Sequence, residues 1–334
     1  MTYDIHHFNK LEIIYLSNQG STGNTFFLSL LDGHEQILNL PGYVDLNFIL
    51  KKENSFENYL KKFYSNNPFF FNTTKMTITS KNHQGLFFLG ENCNEGLIID
   101  KDLFNKHFKN FTKNIDVSEK NFIYAFYYSY AKAINKNIDK IKYLVIYAYD
   151  HNSTLKFINL LGSGKILVLS RNIFNNYFSF EKKILTKSNL RNEDKNLMLN
   201  DALTYLYNTS KNVTPLILAK VKFRIIKIED LHREPEKIIK NFCISYDIKY
   251  NELLLHSSFI GKKYNGHSWN YEKKKLKKFF GFNKDYHMID NINNLRKIEH
   301  IQILFIGYFY LVSLNYINKK RKFFLLRNFF YIFI

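Results

Sequence analysis

The chain has 334 residues, 46% of them hydrophobic and 23% charged, with a formal net charge of +19. Those fractions describe a globular protein able to bury a core and exclude disordered and collagen-like classes. Two cysteines, Cys93 and Cys243, exclude a disulfide scaffold and favour a reducing compartment.

The charge comes from 41 Lys and 7 Arg beside 41 Asn. Lys, Asn, Ile, Phe and Tyr share A/T-rich codons, whereas Arg, the residue suited to bidentate phosphate and base recognition, is scarce. The Lys excess therefore reads as compositional drift, and no nucleic-acid partner is expected.

No basic segment followed by a long apolar stretch opens the chain, so no signal peptide or N-terminal anchor is expected. The apolar run Leu11 to Leu16 reads as a buried strand entering the loop Ser17-Asn18-Gln19-Gly20. Phe26, Phe27, Leu30 and Leu31 have helical spacing, and Gly33 supplies a stop. A second strand, Ile37 to Leu40, ends at Pro41-Gly42. The segment from Val44 to Ile138 reads as mixed helices and loops.

Tyr143 to Tyr149 is a breaker-free β-branched and aromatic run and predicts a strand. A polar loop, Asp150 to Ser153, should lead into a short helix ending at Leu161. The turn Gly162-Ser163-Gly164 then precedes a strand over Lys165 to Ser170. Asn200 to Asn208 reads as helix, Leu216 to Ala219 and Phe223 to Ile228 as strands, and Glu234 to Tyr246 as helix. Strands alternating with helices predict an α/β fold with a mostly parallel sheet. With no internal repeat and no Pro/Gly/Ser-rich linker, one domain over 1–317 is expected, followed by a tail over 318–334.

Ile301 to Ile317 carries no charge over 17 residues, close to the ~20 that span a bilayer. Gln302, Ser313 and Asn315 within it favour a buried closing helix. In the tail, Lys319-Lys320-Arg321-Lys322 beside aromatic residues suits a membrane surface as well as a segment packed on the domain. Both readings stay open. The expected location is cytoplasmic, with membrane association through 318–334.

Two segments carry chemistry. The loop Gln19 to Thr25 lies between a strand and a helix. Its glycines let backbone N–H groups approach an anion at a helix N-terminus, although a simple strand-to-helix turn has the same look. A Walker A loop would need Lys at Asn24 and a longer spacing than Gly20-x-x-Gly23. Arg171 directly follows the Lys165 to Ser170 strand, where it would face the ligand crevice at the carboxyl end of a parallel sheet. Its fork suits a phosphate, and Ser179 could add a hydroxyl; a surface ion pair is the alternative. Cys93 and Cys243 lack partners at ligand spacing, so no metal site is expected.

At this point the sequence resembles the PAPS-dependent sulfotransferases. The opening loop followed by Leu30-Leu31-Asp32-Gly33-His34 and Gln36-Ile37-Leu38-Asn39-Leu40-Pro41 is similar to the start of that family. Arg171 with Asn172, then Ser179, matches its second signature. Ile228-Glu229-Asp230-Leu231 with Glu234-Pro235 is similar to its E-D-L…P segment, and Lys262 to Trp269 to its late Gly-containing loop. The matches keep the family's order and span residues 11 to about 317.

The resemblance implies a three-layer P-loop-like fold and transfer of a sulfuryl group from PAPS to a hydroxyl or amine, with a carbohydrate or glycolipid among the acceptors that would fit. It implies that Ser21, Thr22, Gly23, Asn24 and Thr25 cradle the 5′-phosphosulfate. Arg171 and Ser179 would hold the 3′-phosphate, with Gly266 and its neighbour His267 completing that pocket. The acceptor then needs a general base. His151, directly after the Tyr143 to Tyr149 strand, is the first choice and Asp45 the second, with Asp150 able to orient His151. One departure stands out: Ser21 sits where the family usually has Arg or Lys. It leaves a catalytically impaired nucleotide-binding homologue as an alternative, beside a P-loop kinase.

Overall fold

Five strands form one parallel sheet in the order β2-β3-β1-β4-β5: β1 (Glu12–Ser17), β2 (Ile37–Leu38), β3 (Tyr143–Ala148), β4 (Lys165–Ser170) and β5 (Phe223–Lys227). The central strands are near-continuous apolar runs because both faces of the sheet are covered. Side chains alternate between two cores: Ile13 and Tyr15 of β1 enter one, Ile14 and Leu16 the other. The computed structural model describes residues 2–17, 22–77, 80, 84–148, 151–162, 164–177, 223–266, 269–270, 275–276 and 281–283.

Eight helices are used below: α1 (Thr2–Asn9), α2 (Asn24–Leu31), α3 (Phe56–Asn66), α4 (Lys101–Thr112), α5 (Glu119–Ala133), α6 (His151–Leu161), α7 (Ile228–Arg233) and α8 (Pro235–Tyr246). The N-termini of α3, α4 and α5 are fixed by Ser55, Asp100 and Ser118, whose side chains accept from the backbone N–H three residues on. Phe104 and Phe108 of α4, a run of aromatics on α5 and Phe157 of α6 cover one face of the sheet. Phe27 and Leu31 of α2, Leu231 of α7, and Ile239 and Phe242 of α8 cover the other. This is the three-layer P-loop-like α/β arrangement expected from the sequence.

Adjacent strands β1 and β3 send their following helices, α2 and α6, to opposite faces. In open parallel sheets a crevice forms outside the carboxyl ends at such a switch point, and ligands bind there.

Several boundaries differ from expectation for physical reasons. The second strand keeps only Ile37 and Leu38, which pair with Tyr143 and Leu144 at the sheet edge, before Pro41-Gly42 turns the chain away. The segment after β3 is not a loop through Ser153: α6 begins at His151. Ile228 does not end a strand but opens α7, where Glu229 and Asp230 place negative charge in the first turn. The helix at Asn200 to Asn208, the strand at Leu216 to Ala219, the segment Ile301 to Ile317 and the tail 318–334 lie outside the described residues. Among the described residues no helix is long and apolar enough to cross a membrane.

The end of α2 is tied to a late hairpin, β6 (Ser258–Phe259) and β7 (Lys262–Lys263). The buried Asp32 carboxylate accepts from Ser258 Oγ at 2.8 Å, Ile260 N at 3.0 Å and Gly261 N at 3.0 Å. We expect Asp32→Ala to cost about 1–3 kcal/mol, because two backbone donors lose their acceptor. Amide hydrogen exchange should accelerate at Ile260 and Gly261; unchanged exchange there would show that the carboxylate does not hold the hairpin.

Candidate active site

The cradle begins where β1 ends. Gly23 caps α2 with φ +83°, and its carbonyl accepts from Phe27 N at 2.9 Å. A Cβ at this position would lie 2.6 Å from Ile228 Cδ1. The left-handed backbone favours glycine here, and any side chain would also have to displace the tip of Ile228. Thr22 and Asn24 on either side are buried. Asn24 Nδ2 donates to Thr22 Oγ1 at 2.8 Å, while Asn24 Oδ1 is buried with no partner. A half-turn of the amide exchanges its two ends. The Thr22 hydroxyl would then donate to the oxygen, and the NH₂ would be the group in need of an acceptor. Beside a helix N-terminus, an anion supplies that acceptor. Ser21 lies outside the described residues.

Arg171 is half-buried directly after β4, the neighbour of β1. The turn that carries it is held from α7: Glu229 Oε1 accepts from Asn172 N at 2.8 Å and from Asn175 Nδ2 at 3.4 Å. Asn172 Oδ1 in turn accepts from Phe174 N at 3.0 Å and starts the helical residues 173–177. Ser179, further along, lies outside the described residues. His232 of α7 stacks on Phe26 of α2, with ring centroids 5.1 Å apart and planes at 10°. Phe282 meets both rings edge-on, and His232 Nδ1 accepts from Asn283 N at 3.1 Å. Burial, and after it the Arg171 charge, hold the His232 pKa down at about 4. The ring is thus neutral at physiological pH, and the field of Arg171 reaches α7.

His151 is the first residue of α6 and is fully buried. Its Nδ1 lies 2.5 Å from Ser17 Oγ at the end of β1, and Thr154 Oγ1 donates to the same Ser17 oxygen at 2.8 Å. Ser17 thus holds the buried ring through Nδ1. Asp45 belongs to another cluster: its Oδ1 accepts from Asn47 N at 3.0 Å and opens the short 3-10 turn Asn47–Leu50. Its backbone is clasped by the Asn67 amide at 2.9 and 3.0 Å.

Sequence reasoning missed Gln84. Its Oε1 accepts from Thr25 Oγ1 at 3.1 Å and from Tyr43 N at 2.5 Å, and its Nε2 donates to Tyr43 O at 2.9 Å. Tyr264 OH donates to Gln84 O at 3.0 Å. One side chain therefore ties the cradle helix to the segment leaving β2, and its backbone ties both to the late loop. In that loop Asn265 Nδ2 donates to Gly90 O at 2.8 Å, and the half-buried Gly266 follows with φ +81°. His267 lies outside the described residues. Ser17, Phe26, Glu229 and His232 were also missed as site residues, because each acts through a partner distant in the chain. Among the described residues no group of three or more His, Cys, Asp or Glu could hold a metal ion.

No protein-family model and no curated protein matches the sequence. Among solved structures, the chain is similar to the sulfotransferase domain from the curacin biosynthetic pathway, at 14% identity over 88% of this chain and 89% of that one, with a TM-score of 0.42. It is also similar to the sulfotransferase domain from the Synechococcus PCC 7002 olefin synthase, at 14% identity over 89% and 86%, with a TM-score of 0.40.

The neutral His232 has a pH signature. The unfolded chain takes up this proton near pH 6.5, whereas the folded chain resists it down to about pH 4. The unfolded state therefore holds more protons in that window, and stability falls as pH drops through it, by about 3 kcal/mol in full. His34, also lowered by burial, acts in the same direction. His232→Phe keeps a ring on Phe26 and leaves His34 in place. Denaturant melts at pH 7 and at about pH 4.5 should show a smaller acid loss in this variant, and an identical loss would overturn the assignment.

Proposed function

We propose that the chain transfers a sulfuryl group from PAPS to a hydroxyl or amine of an acceptor. The observation that carries this reading is the meeting of two anion-seeking features at the ends of the adjacent strands β1 and β4. One is the glycine-hinged N-terminus of α2 with the orphaned Asn24 amide; the other is Arg171. A donor with a 5′-phosphosulfate and a 3′-phosphate presents two anionic groups to such a pair. With its two ends exchanged, the Asn24 amide would offer its NH₂ to the first group.

In the transfer, the bond from sulfur to the bridging phosphate oxygen breaks. A bond from sulfur to the acceptor oxygen forms, and the hydroxyl proton passes to a base. The protein's work is positioning and electrostatic complementarity, with little covalent chemistry of its own. Thr22, Gly23, Asn24 and Thr25 would hold the phosphosulfate end, and Arg171 with Ser179 the 3′-phosphate. Gly266 and His267 would close the far side. His151 would take the proton, with Ser17 holding its ring at Nδ1. Ser21 supplies no positive charge to the departing oxygen, and this favours a second reading in which the chain binds the nucleotide without turnover. The chain would act in the cytoplasm, with 318–334 free to touch a membrane surface.

Calorimetry with adenosine 3′,5′-bisphosphate tests the donor site. Binding should be specific, and Arg171→Ala should weaken it by about 2–4 kcal/mol, the scale of losing a charged hydrogen-bonded partner. Equal affinity in the variant would remove Arg171 from the site, and preference for ATP would favour kinase chemistry. Transfer to a panel of acceptors tests catalysis separately. Ser21→Lys should raise the rate by restoring a cation; a drop would mean that another cation already fills the role. Binding without turnover in either protein would favour the non-catalytic reading.

A further inference from the structure

Beyond the Pro41-Gly42 turn, the segment leaving β2 walls a pocket of about 140 Å³ that no part of the donor site uses. Its interior is made by Val44, Phe70, Met76, Leu86 and Leu97, all buried. Gly42 brings the wall close: with φ +66°, a Cβ there would lie 2.8 Å from Gln84 Oε1 and 3.4 Å from Leu86 Cδ1. The back rests on the pairing of Thr73 with Leu97 (Thr73 N to Leu97 O, 3.0 Å). Ser65 and Asn66 stand at its exposed rim.

We infer that this pocket receives an uncharged, apolar six-membered ring of the acceptor. The inference rests on the sulfuryl-transfer reading for the word acceptor, though not for the ring. Three observations support it. First, in a chain that is 23% charged, none of the 13 described lining residues is Lys, Arg, His, Asp or Glu, so none of them balances an ionised group. Second, the interior polar side chains are already engaged. Thr73 Oγ1 donates to Leu86 O at 2.5 Å and accepts from Leu97 N at 2.7 Å. Asn67 Nδ2 donates to Asp45 O and Phe63 O, and its Oδ1 accepts from Asp45 N. A sugar ring would bury hydroxyls here without partners, at about 1–3 kcal/mol each, whereas an apolar ring loses nothing. Third, the volume is that of a cavity known to hold a benzene ring, roughly 150 Å³. The pocket also lies beside the donor cradle, since Tyr43 in its wall and Thr25 in the cradle donate to the same Gln84 oxygen.

Methyl-labelled NMR of the full chain tests this with two probes of equal ring size, p-cresol and methyl β-glucoside. p-Cresol should shift the methyl signals of Val44, Met76, Leu86 and Leu97, and methyl glucoside should leave them in place. Met76→Trp, which fills the cavity, should weaken p-cresol by about tenfold, a change of about 1.4 kcal/mol. Its thermal unfolding and its adenosine 3′,5′-bisphosphate affinity serve as checks on folding. If Met76→Trp does not fold, the two-probe comparison on the unaltered chain still decides. Glucoside shifts without p-cresol shifts, or no shift from either, would overturn the inference. p-Cresol binding without bisphosphate binding would keep the ring pocket and defeat the donor reading; the reverse would keep the donor reading and defeat the ring.

Discussion

At Gly23 the chain turns with φ +83° while the Ile228 side chain fills the space that a Cβ would need. The start of α2 is thereby locked against the start of α7. From α7, Glu229 reaches the backbone of Asn172, and His232 lies flat on Phe26 of α2. The cradle after β1, the turn after β4 and the helix after β5 are therefore joined through α7 by three contacts. Strand order alone would put these three ends side by side; the Gly23–Ile228 contact fixes their depth relative to one another.

That unit handles charge sparingly. The chain carries +19, yet the described cradle contains no lysine, and many of the lysines with partners are exposed in ion pairs such as Lys140–Glu35 and Lys240–Glu236. Such pairs contribute little to stability. Among the described residues of the proposed donor site, positive potential would come from backbone dipoles at a helix N-terminus, from neutral amides and from Arg171. His232 could have added a second cation, but burial and Arg171 itself keep it neutral. A site arranged in this way answers an anion mainly with oriented donors, which need little reorganisation when the anion arrives.

The parts legible in the sequence are those whose signal is local. β4 runs from Lys165 to Ser170, as the apolar run between two punctuating segments implied. β1 and β3 were equally clear, because strands covered on both faces need unbroken apolar residues. Arg171 stood out as one of few arginines at a strand end. The start of α6 was not legible: Asp150, His151, Asn152 and Ser153 look like a solvated loop. His151 and Thr154 are buried there beside Ser17, more than 130 residues earlier in the chain, whose hydroxyl oxygen accepts from Thr154 and pairs with His151 Nδ1. Glu229 was legible only as part of the E-D-L…P resemblance, and its acceptance from Asn172 depends on β4 and β5 lying side by side. Gln84 gave no signal at all. It is a polar residue among loops, with φ +46°, and its importance lies in the elements that converge on it.

Gln84 also couples the two halves of the crevice through simple proton counting. The Thr25 hydroxyl has one hydrogen, and with the cradle as it stands that hydrogen goes to Gln84 Oε1. An anion in the cradle that attracts the same hydrogen takes it away from Gln84. The oxygen then keeps Tyr43 N as a donor, while Nε2 still holds Tyr43 O. Loading the cradle would thus change the forces on Tyr43, which walls the proposed ring pocket, and filling that pocket would change the forces on Thr25. Because coupling between two binding events is reciprocal, whatever affinity the first ligand adds for the second is returned in equal measure. A glutamine at positive φ is a costly way to build a loop, and its bonds to Thr25 and to Tyr43 would give that cost a use.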